Sequence, residues 1–483
     1  FLPSVGDMFY KKKKYTYAAE AYTEANKSTK KSTYYIKIAN CYSYLNDVKS
    51  MYQELMRLLE FYPNYLQTAK NMIRRTINSD EDSVNNQTFK KILLKEIQKN
   101  NSYEVSKLIV WLFVQEKNFN NALDYEISID KQILNNIVNI NTLIELAHTN
   151  QDHDVAIKGL NYILNHSDIN SIQYELAQIK LLEIEYNLLE NTKVENENEI
   201  SKLSDRHKEI LEEIGLNSNT VTTLTNYCHI LSFYQEKDAE AIELLEKAIN
   251  NSRLNSHDVA ICKLELGRIL TSCDKMWDAI LVYSQVEKKF KNDIIGQQAK
   301  FEKTKINFYQ GQFQWAQTQL DVLKLSTSKL ISNNAMELSL LISDNLNLDT
   351  TNTALLIYAE AELLFKQKKF QQAIHKIDQL ETEFPNHTLI DEGLYKKFEI
   401  LMALQDYKNA VGALEKICTQ YYLDILHDDA LFYQGKVYEE FMGNPHIAKE
   451  KYEELLIKYP NSIYANKARE RYRLHRTNNL LKL

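Results

Sequence analysis

Apolar positions along this chain recur with the period of a helix, and they do so in paired segments. In TALLIYAEAELLFKQKKFQQAIHKIDQLETEFP, residues 353–385, apolar side chains fall three, four and seven apart, which marks one buried stripe on an α-helix. The stripe predicts two helices. Ala361 and Leu364 share a face of the first, Phe370 closes the turn, Ala373, Ile377 and Leu380 line the second, and Pro385 ends it. Small residues let two antiparallel helices approach closely while the larger ones fill the seam. One such hairpin cannot bury its own apolar face, so the pattern predicts neighbours.

The neighbours are legible. Ala410, Leu414 and Ile417 repeat the second-helix pattern, and Gly435, Tyr438, Ala448, Tyr452, Leu455 and Pro460 repeat the whole unit with one residue inserted at its turn. Upstream, Ala316, Leu320 and Leu323 fit, as do Gly267, Leu270, Ala279, Tyr283 and Val286, and Ala241, Leu245 and Ala248. At the start of the chain Gly6, Phe9, Ala18, Tyr22 and Ala25 hold the same offsets, followed by Ala39, Tyr42, Leu55, Leu58 and Pro63. This small, aromatic, small spacing resembles the tetratricopeptide repeat of about 34 residues. The resemblance implies an all-α fold, a tetratricopeptide-type α-solenoid in which antiparallel helix pairs wind into a right-handed superhelix, with about six hairpins in its C-terminal half.

Variation in the pattern divides the chain into five stretches: N-terminal repeats at 1–63, divergent helical repeats at 64–170, longer irregular hairpins with a bend at 171–250, repeats at 251–345, and C-terminal repeats with a basic capping helix at 346–483. In 64–101 the small residues are hard to place and SDEDSVNNQ reads as a polar connection. Further on, Phe113, Phe119 and Ala122, then Ala156, Leu160 and Ile163, restore the unit. NTKVENENE near residue 191 marks the bend, and 342–353 reads as a flexible connection. Arg469, Arg471, Arg473 and Arg476 make the last helix either a polar cap or a contact for an acidic partner or anionic lipid.

Composition narrows the function classes. Only 10 Gly and 5 Pro occur in 483 residues, too few for the turns of a sheet protein. The formal charge of -7 offers no general attraction to nucleic acid, and no basic stripe with stacking aromatics overturns that. No apolar run reaches the roughly 18 residues needed to cross a bilayer. The chain starts at Phe1, so its natural start is expected upstream, together with any signal peptide or lipid anchor. Five scattered cysteines without a CxxC pair read as reduced, mostly buried thiols.

Candidate chemistry is sparse, and the sequence reads as non-enzymatic, with no cofactor and no metal. There is no G-x-G-x-x-G, phosphate loop, G-x-S-x-G or H-E-x-x-H. His148, Asp152 and His153, and likewise His427, Asp428 and Asp429, read as polar residues at helix turns ahead of metal ligands. SDEDS near residue 80 lacks the glycine and terminal glutamate of a calcium loop.

The informative feature is a ladder on the first helices, which line the binding face of a curved stack. Phe301, Tyr358, Tyr395 and Phe432 occupy equivalent places in four units, Phe308, Phe365 and Met402 fall two turns later, and Lys305, Glu362, Glu399 and Lys436 alternate beside them. Two readings are open. The rings pack between hairpins, or they form a groove for an extended or apolar peptide whose register the charges set.

A narrower resemblance lies at FYQGQFQWAQTQLDVLKLSTSKLISNNAMELSLLISDN (308–345), KLIVWLFVQEKNFNNALDYE (107–126), HDDALFYQGKVYEE and KYPNSIYANKARERYRLHR. These stretches look like a family of long tetratricopeptide proteins of Bacteroidota envelopes, most strongly after residue 250. The final repeat is also similar to those of periplasmic outer-membrane assembly lipoproteins. The family has no catalytic motif to transfer. It implies a periplasmic, outer-membrane-associated adaptor that binds outer-membrane or secretion components, reaching the membrane through partners or an N-terminal anchor. The alternative is a periplasmic chaperone or peptide receptor that holds apolar client segments in the groove.

Overall fold

The computed structural model describes residues 2–100, 102–133, 137–192, 196–346, 352–421 and 425–480. Among them the secondary structure is helical throughout, with twenty-six α-helices, one 3-10 turn at Pro63–Tyr65 and no strand. The chain forms two compact units, Phe1–Glu185 and Tyr186–Leu483. The division falls inside the helix Ile172–Thr192, within the irregular stretch at 171–250. Parts of both expected breaks, residues 193–195 and 347–351, lie outside the described residues.

Most elements are antiparallel hairpins, and their seams explain the small residues. In Ser256–Ser272 and Met276–Lys289, Gly267 faces Tyr283 so closely that an added Cβ would stand 2.5 Å from the ring. Gly6 meets Tyr22 and Gly435 meets Tyr452 in the same way, each at 2.6 Å. Where the first helix offers alanine, the second offers an aliphatic side chain: Ala39 with Leu55, Ala147 with Ile163, Ala361 with Ile377, all buried. Small and large are thus exchanged across the seam at nearly constant spacing, which keeps the two axes close and the core filled.

The turns are also uniform. One residue takes the left-handed conformation, as at Asn46 (φ 55°), Gln405 (φ 57°) and Gly443 (φ 60°). In these three turns the next residue caps the second helix, Asp47 accepting from the Ser50 amide (3.1 Å), Asp406 from Asn409 (3.2 Å) and Asn444 from Ile447 (3.3 Å), whereas Lys237, Lys275 and Lys369 stand at the same place without a side-chain cap.

In the first unit the stretch that reads as divergent has a small contact after all, because Ala69 is fully buried with Ile73, Phe89 and Leu93. Its polar connection is fastened by Asn86, whose side chain accepts from the Asn78 amide (3.3 Å) and donates to the Asn78 carbonyl (3.0 Å) and to Glu116 (3.1 Å). Because these bonds replace water for a buried amide, the loop has one defined course.

Among the described residues the second unit contains six hairpins: Val221–Phe233 with Asp238–Ile249, Ser256–Ser272 with Met276–Lys289, Ile294–Tyr309 with Phe313–Leu323, Thr353–Lys366 with Phe370–Glu383, Ile390–Ala403 with Tyr407–Gln420, and His427–Glu440 with Pro445–Lys458. One helix, Lys329–Asn345, is interposed between the third and fourth. It is tied to the third hairpin through Ser339, which accepts from Gln317 (2.7 Å) and Lys324 (3.0 Å), and toward the fifth by Thr388, which donates to Asn345 (2.8 Å). Ala465–Leu480 covers the last hairpin, with Ala468 buried and Arg471 paired to Glu439 (3.0 Å) and Glu440 (2.8 Å). The side chain of Arg476 lies outside the described residues.

The seam geometry predicts opposite outcomes for one substitution. Gly267→Ala should destabilise the second unit by about 1–2 kcal/mol, because the new methyl overpacks Tyr283, and adding Tyr283→Leu should recover part of the loss. Gly412→Ala, where nothing lies within 4 Å of the added Cβ, should stabilise by about 0.5–1 kcal/mol through helix propensity. Denaturant midpoints of the variants check both signs.

Candidate protein-binding groove

Four helices of the second unit converge on a groove of about 1300 Å³. Three are first helices of successive hairpins, Ile294–Tyr309, Thr353–Lys366 and Ile390–Ala403, and the fourth is the interposed Lys329–Asn345. That helix turns a shared face into a walled channel, presenting Glu337, Leu338, Leu341 and Asp344 to it. Residues 385–388, Tyr421, Ile425, Asp429 and Tyr464 complete the lining.

Six of the eleven ladder residues line this groove: Phe301, Lys305, Tyr358, Glu362, Tyr395 and Glu399. The other five lie elsewhere. Phe308 is at the end of its helix, where it meets the turn, and is fully buried 5.6 Å from the Phe313 ring. Phe365, half-buried, packs 5.9 Å from Phe370, and Met402 packs against the main core of the unit. Phe432 is buried with its ring stacked on Tyr464 at 4.5 Å, and Lys436 pairs with Glu440 at 3.8 Å. Even within the groove Phe301 and Tyr358 are only 8% and 6% exposed, so they serve as its floor and as core together. Tyr395 is more open, half-buried, with its ring 6.1 Å from that of Tyr433.

Charges form a second ladder that sequence reading caught only in part. Two residues before and one after the seam positions Gly267, Thr304 and Phe398 stand Glu265 with Arg268 (2.9 Å), Glu302 with Lys305 (2.7 Å) and Lys396 with Glu399 (2.6 Å). Lys396 also reaches Glu362 across to the neighbouring hairpin (3.5 Å), and His229 lies 2.8 Å from Glu265. Glu265, Arg268, Glu302, Lys396, Tyr309 and Lys366 escaped the reading, although the i,i+3 pairing in a fixed register was a usable signal.

Burial sets the electrostatics here. For Glu302 burial alone would raise the carboxyl, but Lys305 and Lys366 outweigh it and hold it down at about 2. Glu265 is likewise lowered, burial being outweighed by His229 and Arg268. Lys305 is pushed down by burial, against the pull of Glu302. Lys396 moves up, because Tyr358, Glu362 and Glu399 outweigh its burial.

The sparse chemistry elsewhere is placed as follows. The Nδ1 atoms of His148 and His153 are 3.3 Å apart, His427 Nδ1 lies 2.9 Å from the Tyr459 hydroxyl, and Asp429 accepts from Tyr464 (2.7 Å). Among the described residues no group of three or more His, Cys, Asp and Glu is placed to hold a metal ion. Burial pushes the Cys41 thiol up to about 11 and that of Cys262 up to about 12, which makes both poor nucleophiles. Among the described residues no helix is long and apolar enough to cross a membrane.

This architecture defines a class, the stacked helical-hairpin repeat protein. Residues 429–462 match the family model of the tetratricopeptide repeat, and the other hairpins repeat the same seam, so the fold is of the tetratricopeptide-type α-solenoid class. No curated protein sequence matches it. Similar solved structures include a tetratricopeptide repeat protein from Parabacteroides merdae (14% identity, 62% of this chain and 98% of that one, TM-score 0.25). Others are the APC/C hetero-tetramer Cut9-Hcn1 (12% identity, 98% and 96%, TM-score 0.26) and yeast Tom70 (14%, 100% and 95%, TM-score 0.29).

The lowered Glu302 ties stability to pH. Its pKa is depressed on folding from 4.5 to about 2, so its contribution is present above about pH 4.5 and is lost as pH falls toward 2. Glu302→Gln should lower the stability of the second unit at neutral pH by on the order of 1–3 kcal/mol and flatten its acid limb between those values. Chemical denaturation at a series of pH values measures both.

Proposed function

We propose that this chain is a non-enzymatic scaffold that holds a protein partner in the groove of its second unit, within a cell-envelope assembly. The observation that carries the reading is the groove itself. At about 1300 Å³ it exceeds the usual size of a small-molecule site, roughly 300–1,000 Å³, and its walls combine aromatic, aliphatic and charged side chains. Such a lining suits a polypeptide segment, with rings as anchors and charges for register.

The stack suits this task because its hairpins preform the surface, so little ordering is needed on binding. Solenoids of this repeat bind proteins through such faces, and function rests on the site rather than on the fold alone. The envelope setting is supported by the sequence likeness to long Bacteroidota envelope proteins at 107–126 and 308–345. In that setting the partners are outer-membrane or secretion components, and the chain is periplasmic.

Leu340 lines the groove while 54% exposed, so Leu340→Arg obstructs the channel without touching the core. The full chain and this variant, each recovered from native membranes in mild detergent, provide the test. The scaffold reading expects a fixed set of envelope proteins in constant ratio with the parent, and loss of that set with the variant at an unchanged unfolding midpoint. An undiminished set with Leu340→Arg, or a broad substoichiometric spread of clients, contradicts it, and cytosolic partners alone contradict the envelope setting.

A further inference from the structure

Charge in the groove is uneven, and the unevenness selects a partner. Seven carboxylates and three lysines line it. Two of the lysines are matched from within the protein, Lys305 by Glu302 and Lys396 by Glu399 and Glu362. Several carboxylates have no such match. Glu337 and Asp344 are exposed on the interposed helix, seven residues apart and so on one face, and neither is in an ion pair among the described residues. Asp391 and Asp429, from the last two first helices, are also without an ion pair among the described residues, although Asp429 accepts the Tyr464 hydroxyl (2.7 Å).

The same lining includes Tyr395 and Leu341, one offering an aromatic ring and the other a methyl surface. A negative channel with low-dielectric walls focuses its field on a cation, and a tyrosine ring adds attraction for an ammonium or guanidinium group. An acidic segment entering the same channel would meet this excess of carboxylates over lysines.

We infer that the segment held here is extended and cationic, with lysine or arginine side chains set against Glu337, Asp344 and Asp429 and apolar side chains over Tyr395 and Leu341. This rests on the protein-binding reading above and adds the chemistry of the partner. Complementary charge contributes rate and selection, while the apolar contacts contribute most of the affinity.

The test uses the full chain and three fluorescent peptides that share one apolar framework and carry lysine, glutamine or glutamate at the intervening positions. Anisotropy should show the lysine peptide binding about tenfold or more tighter than the glutamate peptide, with the gap narrowing at high salt. Glu337→Gln with Asp344→Asn should weaken the lysine peptide about fivefold or more and leave the glutamine peptide unchanged. Tyr395→Ala should weaken all three. Glu243→Gln with Glu246→Gln, exposed on Asp238–Ile249 away from the groove, should change nothing.

Equal affinity for the three peptides, or tighter binding of the glutamate peptide, overturns the cationic assignment while leaving a protein-binding groove intact. Absence of binding by every peptide overturns the groove as a peptide site and the assignment with it. Self-association of the peptide-free chain that Glu337→Gln with Asp344→Asn abolishes would make a second copy the occupant and overturn a separate partner.

Discussion

Everything in this protein depends on how closely two antiparallel helices can approach within a hairpin. In six hairpins the limit is set at one position on the first helix, where Gly6, Gly267 and Gly435 each admit a tyrosine ring and Ala39, Ala147 and Ala361 admit an aliphatic chain, while Thr304 and Phe398 stand at that place in two others. A wider seam would leave voids whose lining forfeits its contacts, and a narrower one would clash. Because each hairpin exposes an apolar face when alone, the same seam also fixes how the next hairpin stacks.

That close packing has an electrostatic consequence. First helices held side by side bring their polar positions into a half-buried layer, where a lone charge would be costly. The chain answers with pairs in a repeated register, Glu265 with Arg268, Glu302 with Lys305 and Lys396 with Glu399, and with the link from Lys396 to Glu362 across hairpins. Such pairs add little net stability over apolar packing, but removing one partner strands the other. Their geometric effect is to hold the first helices in register, which keeps the wall of the groove fixed.

The hairpins were legible because their signal is periodic and local. Ala361, Ala373, Ile377 and Leu380 lie at helical spacing, and all four are fully buried. The groove was only half legible, for two physical reasons. Phe301 and Phe308 share one stripe of a helix, yet the first is in the groove floor and the second is sealed beneath the turn, a distinction made by the helix end and not by the period. The interposed helix Lys329–Asn345 carries an ordinary apolar stripe, so nothing in its residues announces that it stands outside the pairing and walls the channel. In the first unit Ala69 escaped notice because its partners, Phe89 and Leu93, lie across a polar loop whose course is set by Asn86.

The most direct measurement of the central claim is site-specific photocrosslinking in living cells, with a photoreactive side chain placed either at Glu337 in the groove or at Val322, exposed on the second helix Phe313–Leu323. The account predicts one discrete crosslinked protein from position 337 and none of it from position 322. The same product from both positions, or a product from 322 alone, would contradict it.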